Sequence, residues 1–169
     1  MPERVRFFSG QFLTAEDFEV EQKYHIEMRW LHNRMLHGVG IVAGLGVSID
    51  GCQDGTAVVS PGLALDGLGR EIIVDRPVCV ELGTGTNDFW FVTLQYVELQ
   101  TNPVPTSDGS SEFIRVKESF LIETAEQDPS QNGTGLVLAR LIRQGGAWVI
   151  DENYCPISLC RQTEQRPAS

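Results

Sequence analysis

The chain has 169 residues and a net charge of −10, with 13 lysine and arginine side chains against 23 aspartate and glutamate side chains. This length fits one domain with its own core, and a hydrophobic content of 41% excludes a chain that is disordered throughout. The acidic charge repels phosphate backbones and anionic lipid heads, which disfavours nucleic acid and bare membrane as partners.

The sequence carries no address for export or for a membrane. It opens without the apolar core of a signal peptide, and no window approaches the roughly 20 apolar residues of a membrane span. We therefore expect a cytoplasmic protein without direct membrane insertion. Its four cysteines, Cys52, Cys79, Cys155 and Cys160, are expected to stay reduced in that compartment.

The first predicted elements are a short edge strand and a long helix. Residues 4–8 alternate arginine with apolar side chains and are followed by Ser9-Gly10, which predicts a strand ending in a turn. Thr14 followed by Asp17 resembles a capping box, and neither glycine nor proline occurs until Gly38. We predict a helix over about 15–37.

This helix has large apolar side chains on two opposite sides. At about 100° per residue, one stripe lies on a single face and is predicted to contact the sheet; it contains Val20, Tyr24, Met28, Leu31 and Met35, with Phe18 and Leu36 at its margin. Ile26 and Trp30 lie nearly opposite. Another segment of the chain or another subunit should cover that pair, because exposed apolar pairs usually mark interaction surfaces.

After the helix, runs of β-branched residues separated by glycine-rich turns predict an antiparallel β-rich body. The predicted strands are 40–50, 56–61, 62–66, 70–74, 77–82, 89–100, 113–124, 136–143 and 147–150, and the strand over 89–100 is apolar on both sides and therefore central. Residues 102–111 are predicted as an exposed loop open to a partner, because they contain two prolines and Asp108-Gly109. The fold class is therefore α+β and mostly β, with the long N-terminal helix packed on an antiparallel β-sandwich or barrel-like body. One domain should cover 1–160, followed by a disordered tail over 161–169.

Candidate metal ligands are present but lack suitable spacing. His25 and His32 are two helical turns apart, about 10.5 Å, which is too far for one metal ion without a ligand between them. Cys155 and Cys160 could form a disulfide or half of a zinc site, but the other half is missing. We predict no bound metal and no cofactor.

Candidate catalytic groups are equally sparse. Asp66, Glu71 and Asp75 surround a glycine-rich turn, and aspartate before glycine is explained by turn formation more simply than by acid–base or calcium chemistry. The glycines of 38–44 follow a helix and enter a strand, the reverse of a dinucleotide-binding loop. Without a coherent catalytic constellation, we expect a protein that is not an enzyme.

Several stretches together resemble a known group of proteins. The sequence FFSGQFLTAEDF over 7–18, then EQKY over 21–24, HNRMLHG over 32–38 and SPGLALDGLGREI over 60–72 are similar to proteins encoded with contractile injection systems and phage-like tails. More distantly, the opening resembles the type VI secretion baseplate subunit whose N-terminal domain is like the shoulder of phage receptor-binding proteins.

This resemblance implies a structural subunit or adaptor of a contractile injection system or phage-tail-like particle, working by protein–protein assembly. The implied partners are further copies of itself, such as a trimer, and other baseplate or tail proteins, inside a large cytoplasmic particle. We expect Ile26, Trp30, Phe12 and Leu13 at the interface. The alternative is a small-ligand or carbohydrate-binding β-domain that uses Trp90 or Trp148 beside a pocket.

Overall fold

The protein is seen in a computed structural model that describes residues 3–49, 55–83, 87–129 and 135–159. One helical segment is followed by ten strands. Helix α1 spans Ala15–His32 and continues as a π-helix over Asn33–His37; the strands are β1 (Gly40–Gly44), β2 (Val47–Ser48), β3 (Thr56–Val59), β4 (Gly62–Leu65), β5 (Glu71–Val74), β6 (Val78–Glu81), β7 (Phe89–Pro105), β8 (Ser111–Ala125), β9 (Gly135–Gln144) and β10 (Ala147–Ile150).

The predicted helix is confirmed at both ends. Its start is held by the capping box: the Asp17 N–H donates to Thr14 Oγ1 at 3.4 Å, and the Thr14 N–H donates to Asp17 Oδ2 at 2.9 Å. At the other end the Gly38 N–H donates to the Asn33 carbonyl, 3.1 Å away, and Gly38 has a φ of 83°. This i→i+5 bond widens the last turn, so residues after Asn33 no longer follow the 100° projection of a regular helix.

The strands form three antiparallel sheets. Their orders are β1-β4-β5, β2-β3-β6 and β10-β9-β7-β8. Side chains from all three sheets meet in one hydrophobic cluster, for example Val59 of β3, Ile72 of β5 and Leu94 of β7. The described strands leave edges in every sheet, so the body is not a closed barrel and that part of the prediction is wrong; the sandwich arrangement stays a prediction.

Most predicted strands are confirmed. The segment over 89–100 lies between β9 and β8 as the predicted central strand, and Val92 and Leu94 within it are fully buried. The hairpin pairing of β4 with β5 around 66–69 is also present. The predicted boundary at residue 160 and the tail over 161–169 lie outside the described residues.

Three local predictions are wrong. Residues 4–8 form no strand. The strand over 40–50 is interrupted, because Leu45 has a φ of 59° and points into the core, with 1% of its surface exposed. The loop over 102–111 is mostly strand, since β7 continues to Pro105 and β8 begins at Ser111. Prolines are tolerated there because the ribbon is an edge structure.

The cysteine prediction is also corrected. Cys79 of β6 forms a disulfide bond, whereas reasoning from the missing signal peptide predicted reduced thiols throughout. Cys155 is a thiol. Compartment arguments describe the surroundings of a chain and say nothing of which sulfur atoms the fold brings together.

Candidate interaction surface

Helix α1 docks on the body through a small set of contacts near its C-terminal end. The Trp30 ring meets the Tyr96 ring of β7 edge to face, with centroids 6.4 Å apart. The Asn33 side chain is buried and its Nδ2 donates to the Gly69 carbonyl at 2.9 Å. Arg29 bridges two acidic side chains, with its Nε 3.2 Å from Glu71 Oε1 and its Nη2 3.4 Å from Glu118 Oε1.

Gly69 permits this close approach. A Cβ added at Gly69 would lie 2.1 Å from the Trp30 carbonyl oxygen and 3.1 Å from the Arg34 nitrogen. The turn that presents Gly69 is built by Asp66, whose Oδ1 accepts from the N–H groups of Leu68 and Arg70 at 2.9 Å each. Turn formation is thus the observed role of Asp66, as the sequence suggested.

The side of the helix that meets the body is the opposite of the predicted one. The docking contacts come from the Trp30 side, while Leu31 and Met35 of the predicted stripe are 39% and 70% exposed. Helical periodicity identified two apolar sides but could not say which one packs against the sheet. In the open alternative for covering Trp30, a segment of the same chain does so in part.

The four predicted interface residues lie in two environments. Phe12, 87% exposed, and Leu13, 36% exposed, precede the helix and join other exposed apolar side chains of the N-terminal region. Ile26 and Trp30 are partly buried on the body-facing side of the helix. Their place in an interface between chains stays a prediction.

A groove of about 330 Å³ runs between α1 and the root of β7. Its apolar lining is Ile26 and Trp30, and its acidic lining is Glu19 and Glu27 from the helix and Glu98 from β7. Lys23 also lines it, with its Nζ 3.8 Å from Glu27 Oε1. The groove therefore joins an apolar floor to a rim with an excess of negative charge.

Tyr96 ties the root of β7 to this groove. Its hydroxyl donates to Glu98 Oε1 at 2.9 Å, and the Arg70 guanidinium lies 4.5 Å from the ring centroid. Burial, followed by the hydrogen bond to Glu98, raises the pKa of Tyr96 above its ordinary value. Tyr96 is thus neutral in the folded protein and available as a hydrogen-bond donor and packing platform.

Beyond the body, β7 and β8 continue as a two-stranded ribbon, here called the arm and comprising 98–118. In β7, pairing with β9 ends at Gln95, whereas pairing with β8 runs to Pro105 opposite Ser111. Apolar side chains lie exposed along it, including Phe113 and Val116. An isolated hairpin of this kind is marginally stable in water, so packing against another molecule would stabilise it.

The two long edges of the arm differ. The Thr106 N–H donates to the Ser110 carbonyl at 2.9 Å, so position 106 faces β8. By alternation along β7, the nitrogens of Pro105 and Pro103 face outward, where proline offers no N–H. The outer edge of β7 is therefore closed to an added strand, whereas β8 contains no proline over Ser111–Ala125.

The remaining candidate groups have structural surroundings. His25 Nε2 lies 3.0 Å from Glu21 Oε1 on the helix surface, and no three potential ligands come together to hold a metal ion among the residues that the structure describes. Trp90 packs on Gly83, and Trp148 lies against the Arg143 guanidinium, so both indoles are partly buried in the fold. No described helix is long and apolar enough to cross a membrane.

The comparisons with known proteins rest on the fold. No protein-family model matches the chain, and no curated protein sequence matches it. Among solved structures it is similar to a chain of the TssK–TssF–TssG baseplate subcomplex of the type VI secretion system, seen by cryo-electron microscopy, with a TM-score of 0.63 and 15% identity over 92% of this chain and 62% of that one.

Two further structures agree. A chain of a type VI secretion baseplate complex matches with a TM-score of 0.61 and 15% identity, over 92% of this chain and 60% of that one. The structure of TssK from EAEC with a nanobody matches with a TM-score of 0.55 and 16% identity, over 80% of this chain and 53% of that one. The chain thus has the fold of a part of type VI baseplate proteins and spans less than two thirds of their length. The resemblance to phage receptor-binding proteins stays a prediction.

Proposed function

We propose that this chain is a structural subunit or adaptor of a contractile injection system or phage-tail-like particle, acting by assembly and without catalysis. Its partners are other baseplate or tail proteins and further copies of itself, within a large particle in the cytoplasm. The observation that carries the proposal is the fold, which matches type VI baseplate chains over 92% of this chain.

The exposed apolar surface supports an assembly role. Phe8 and Phe12, ahead of the helix, are 69% and 87% exposed, and Leu36 at the helix end is 70% exposed. Contiguous apolar side chains in contact with water are unfavourable for a protein that acts alone, and they gain free energy when a partner covers them. The projecting arm adds a second surface of this kind.

Co-purification tests the proposal. The tagged chain is co-expressed with the baseplate or tail proteins encoded beside it, and complexes are separated by size-exclusion chromatography. We expect a stable complex with at least one of them, weakened at least tenfold by Phe12→Asp. The matched control is Ile73→Asp, which places the same charge on a side chain of β5 that is 65% exposed.

A wild-type chain that binds none of these proteins, together with particles that assemble normally in its absence, would overturn the proposal. If Ile73→Asp weakens the complex as much as Phe12→Asp does, the contact lies on the body and the N-terminal region is not its site.

A further inference from the structure

We propose that the groove between α1 and the arm receives the N-terminal segment 4–8 of a second copy of this chain. The inference rests on the proposed assembly role and names one contact within it. It joins two surfaces of the same chain, an acidic groove with an apolar floor and an exposed segment that is both cationic and apolar. Neither surface is occupied by the other within one chain.

The segment 4–8 has the composition that the groove lacks. Arg4 and Arg6 are exposed, and Phe7 and Phe8 are 52% and 69% exposed. The segment forms neither helix nor strand. In an extended conformation, alternate side chains point to opposite sides, so both arginines share one side while Val5 and Phe7 share the other.

The groove offers a matching arrangement. Glu19 and Glu27 are exposed on the helix and Glu98 is exposed on β7, so three carboxylates surround Ile26 and Trp30. Arginine and carboxylate groups form charge-assisted hydrogen bonds, and apolar side chains would cover the partly buried indole of Trp30. Only Lys23 opposes this complementarity, and it already lies beside Glu27.

The contact joins different surfaces on the two copies. Such heterologous contacts produce a closed ring when the rotation between copies closes, and an open chain when it does not. The net charge of −10 makes two copies repel at long range, but salt at physiological concentration screens that repulsion beyond about 8 Å. Contact between the segment and the groove occurs within that distance.

Charge reversal on each side tests the contact. We expect the wild type to exceed its monomer mass of 18.7 kDa at micromolar concentrations in multi-angle light scattering. The segment variant Arg4→Glu/Arg6→Glu and the groove variant Glu19→Lys/Glu27→Lys should each be monomeric. Both sets of positions are exposed, and circular dichroism verifies that both variants keep the fold.

Mixing the two variants gives the decisive result. The segment variant keeps a native groove and the groove variant keeps a native segment, so an equimolar mixture should form a one-to-one dimer. The control Arg115→Glu/Lys117→Glu changes the net charge as the segment variant does, but on the arm, and should keep the wild-type mass.

Three outcomes overturn the inference: a wild type that stays monomeric at 100 µM, variants that keep the wild-type mass, or a mixture without a dimer. A monomeric wild type that still binds baseplate proteins would remove this contact and leave the proposed function intact. Loss of baseplate binding with a normal oligomer would do the reverse.

Discussion

Trp30 connects helix docking with the groove, and its indole has two separable roles. The ring packs on Tyr96, whereas its Nε1 is buried without a hydrogen-bond partner among the described residues. Trp30→Ala should lower the free energy of unfolding by about 2–3 kcal/mol, because a large contact is lost. Trp30→Phe should change it by less than about 1 kcal/mol, because it keeps a ring and removes an N–H that costs free energy when buried.

Urea unfolding followed by circular dichroism measures both values. Equal effects of the two substitutions would show that the N–H, and not the packing, decides the stability. Unchanged stability in Trp30→Ala with a loss of oligomer would return Trp30 to the role first predicted for it, a residue covered by another subunit.

Gly69 offers a second test at the scale of single residues. Gly69 and Gly109 have nearly equal positive φ values of 86° and 84°, but only Gly69 faces a neighbour, the Trp30 carbonyl. Gly109→Ala should therefore cost about 1–2 kcal/mol, the usual strain of alanine at positive φ. Gly69→Ala carries the same strain and in addition displaces the helix, so its melting temperature should fall clearly further. Equal melting temperatures would contradict the docking described here.

Among the elements, the arm is the one whose edges can be changed independently of the core. Replacing Pro103 and Pro105 by threonine would add two outward N–H groups to β7 and open this edge to strand addition. We expect faster aggregation, measured by light scattering at constant protein concentration. Val104→Thr is the control, because the N–H of residue 104 faces β8; similar aggregation in that variant would contradict the role given to the prolines.

The elements also show which parts of the fold are local enough to predict. The helix over 15–37 and the hairpin around 66–69 were predicted because capping and turn residues act on neighbours in the sequence. The arm was missed because proline usually indicates a loop, and only the register with β8 shows that Pro103 and Pro105 face outward.

The candidate surface divides in the same way. Ile26 and Trp30 were identified as one apolar side of the helix by periodicity alone. Which side meets the body depends on the Gly69 turn, 36 residues after Asn33 in the sequence, and on the π-helix that ends the segment. Neither has a local sequence signal, so the contact side was assigned to the wrong stripe.

For the whole molecule, the disulfide of Cys79 gives a prediction about stability. A chain with four cysteines and one disulfide should show two reactive thiols after denaturation without reductant, and four after reduction. Reduction or Cys79→Ser should lower the free energy of unfolding by about 2–4 kcal/mol, because the unfolded chain gains conformational freedom. Four reactive thiols in the untreated protein would contradict the bond.

The arm finally sets a direction for the molecule as a whole. With the prolines blocking one margin, an incoming strand could lengthen this ribbon from the β8 side alone. Each such addition would take the same side and the same twist, so a structure built this way would be chiral and could not form its mirror arrangement. Handedness at the scale of a particle would then originate in two imino acids.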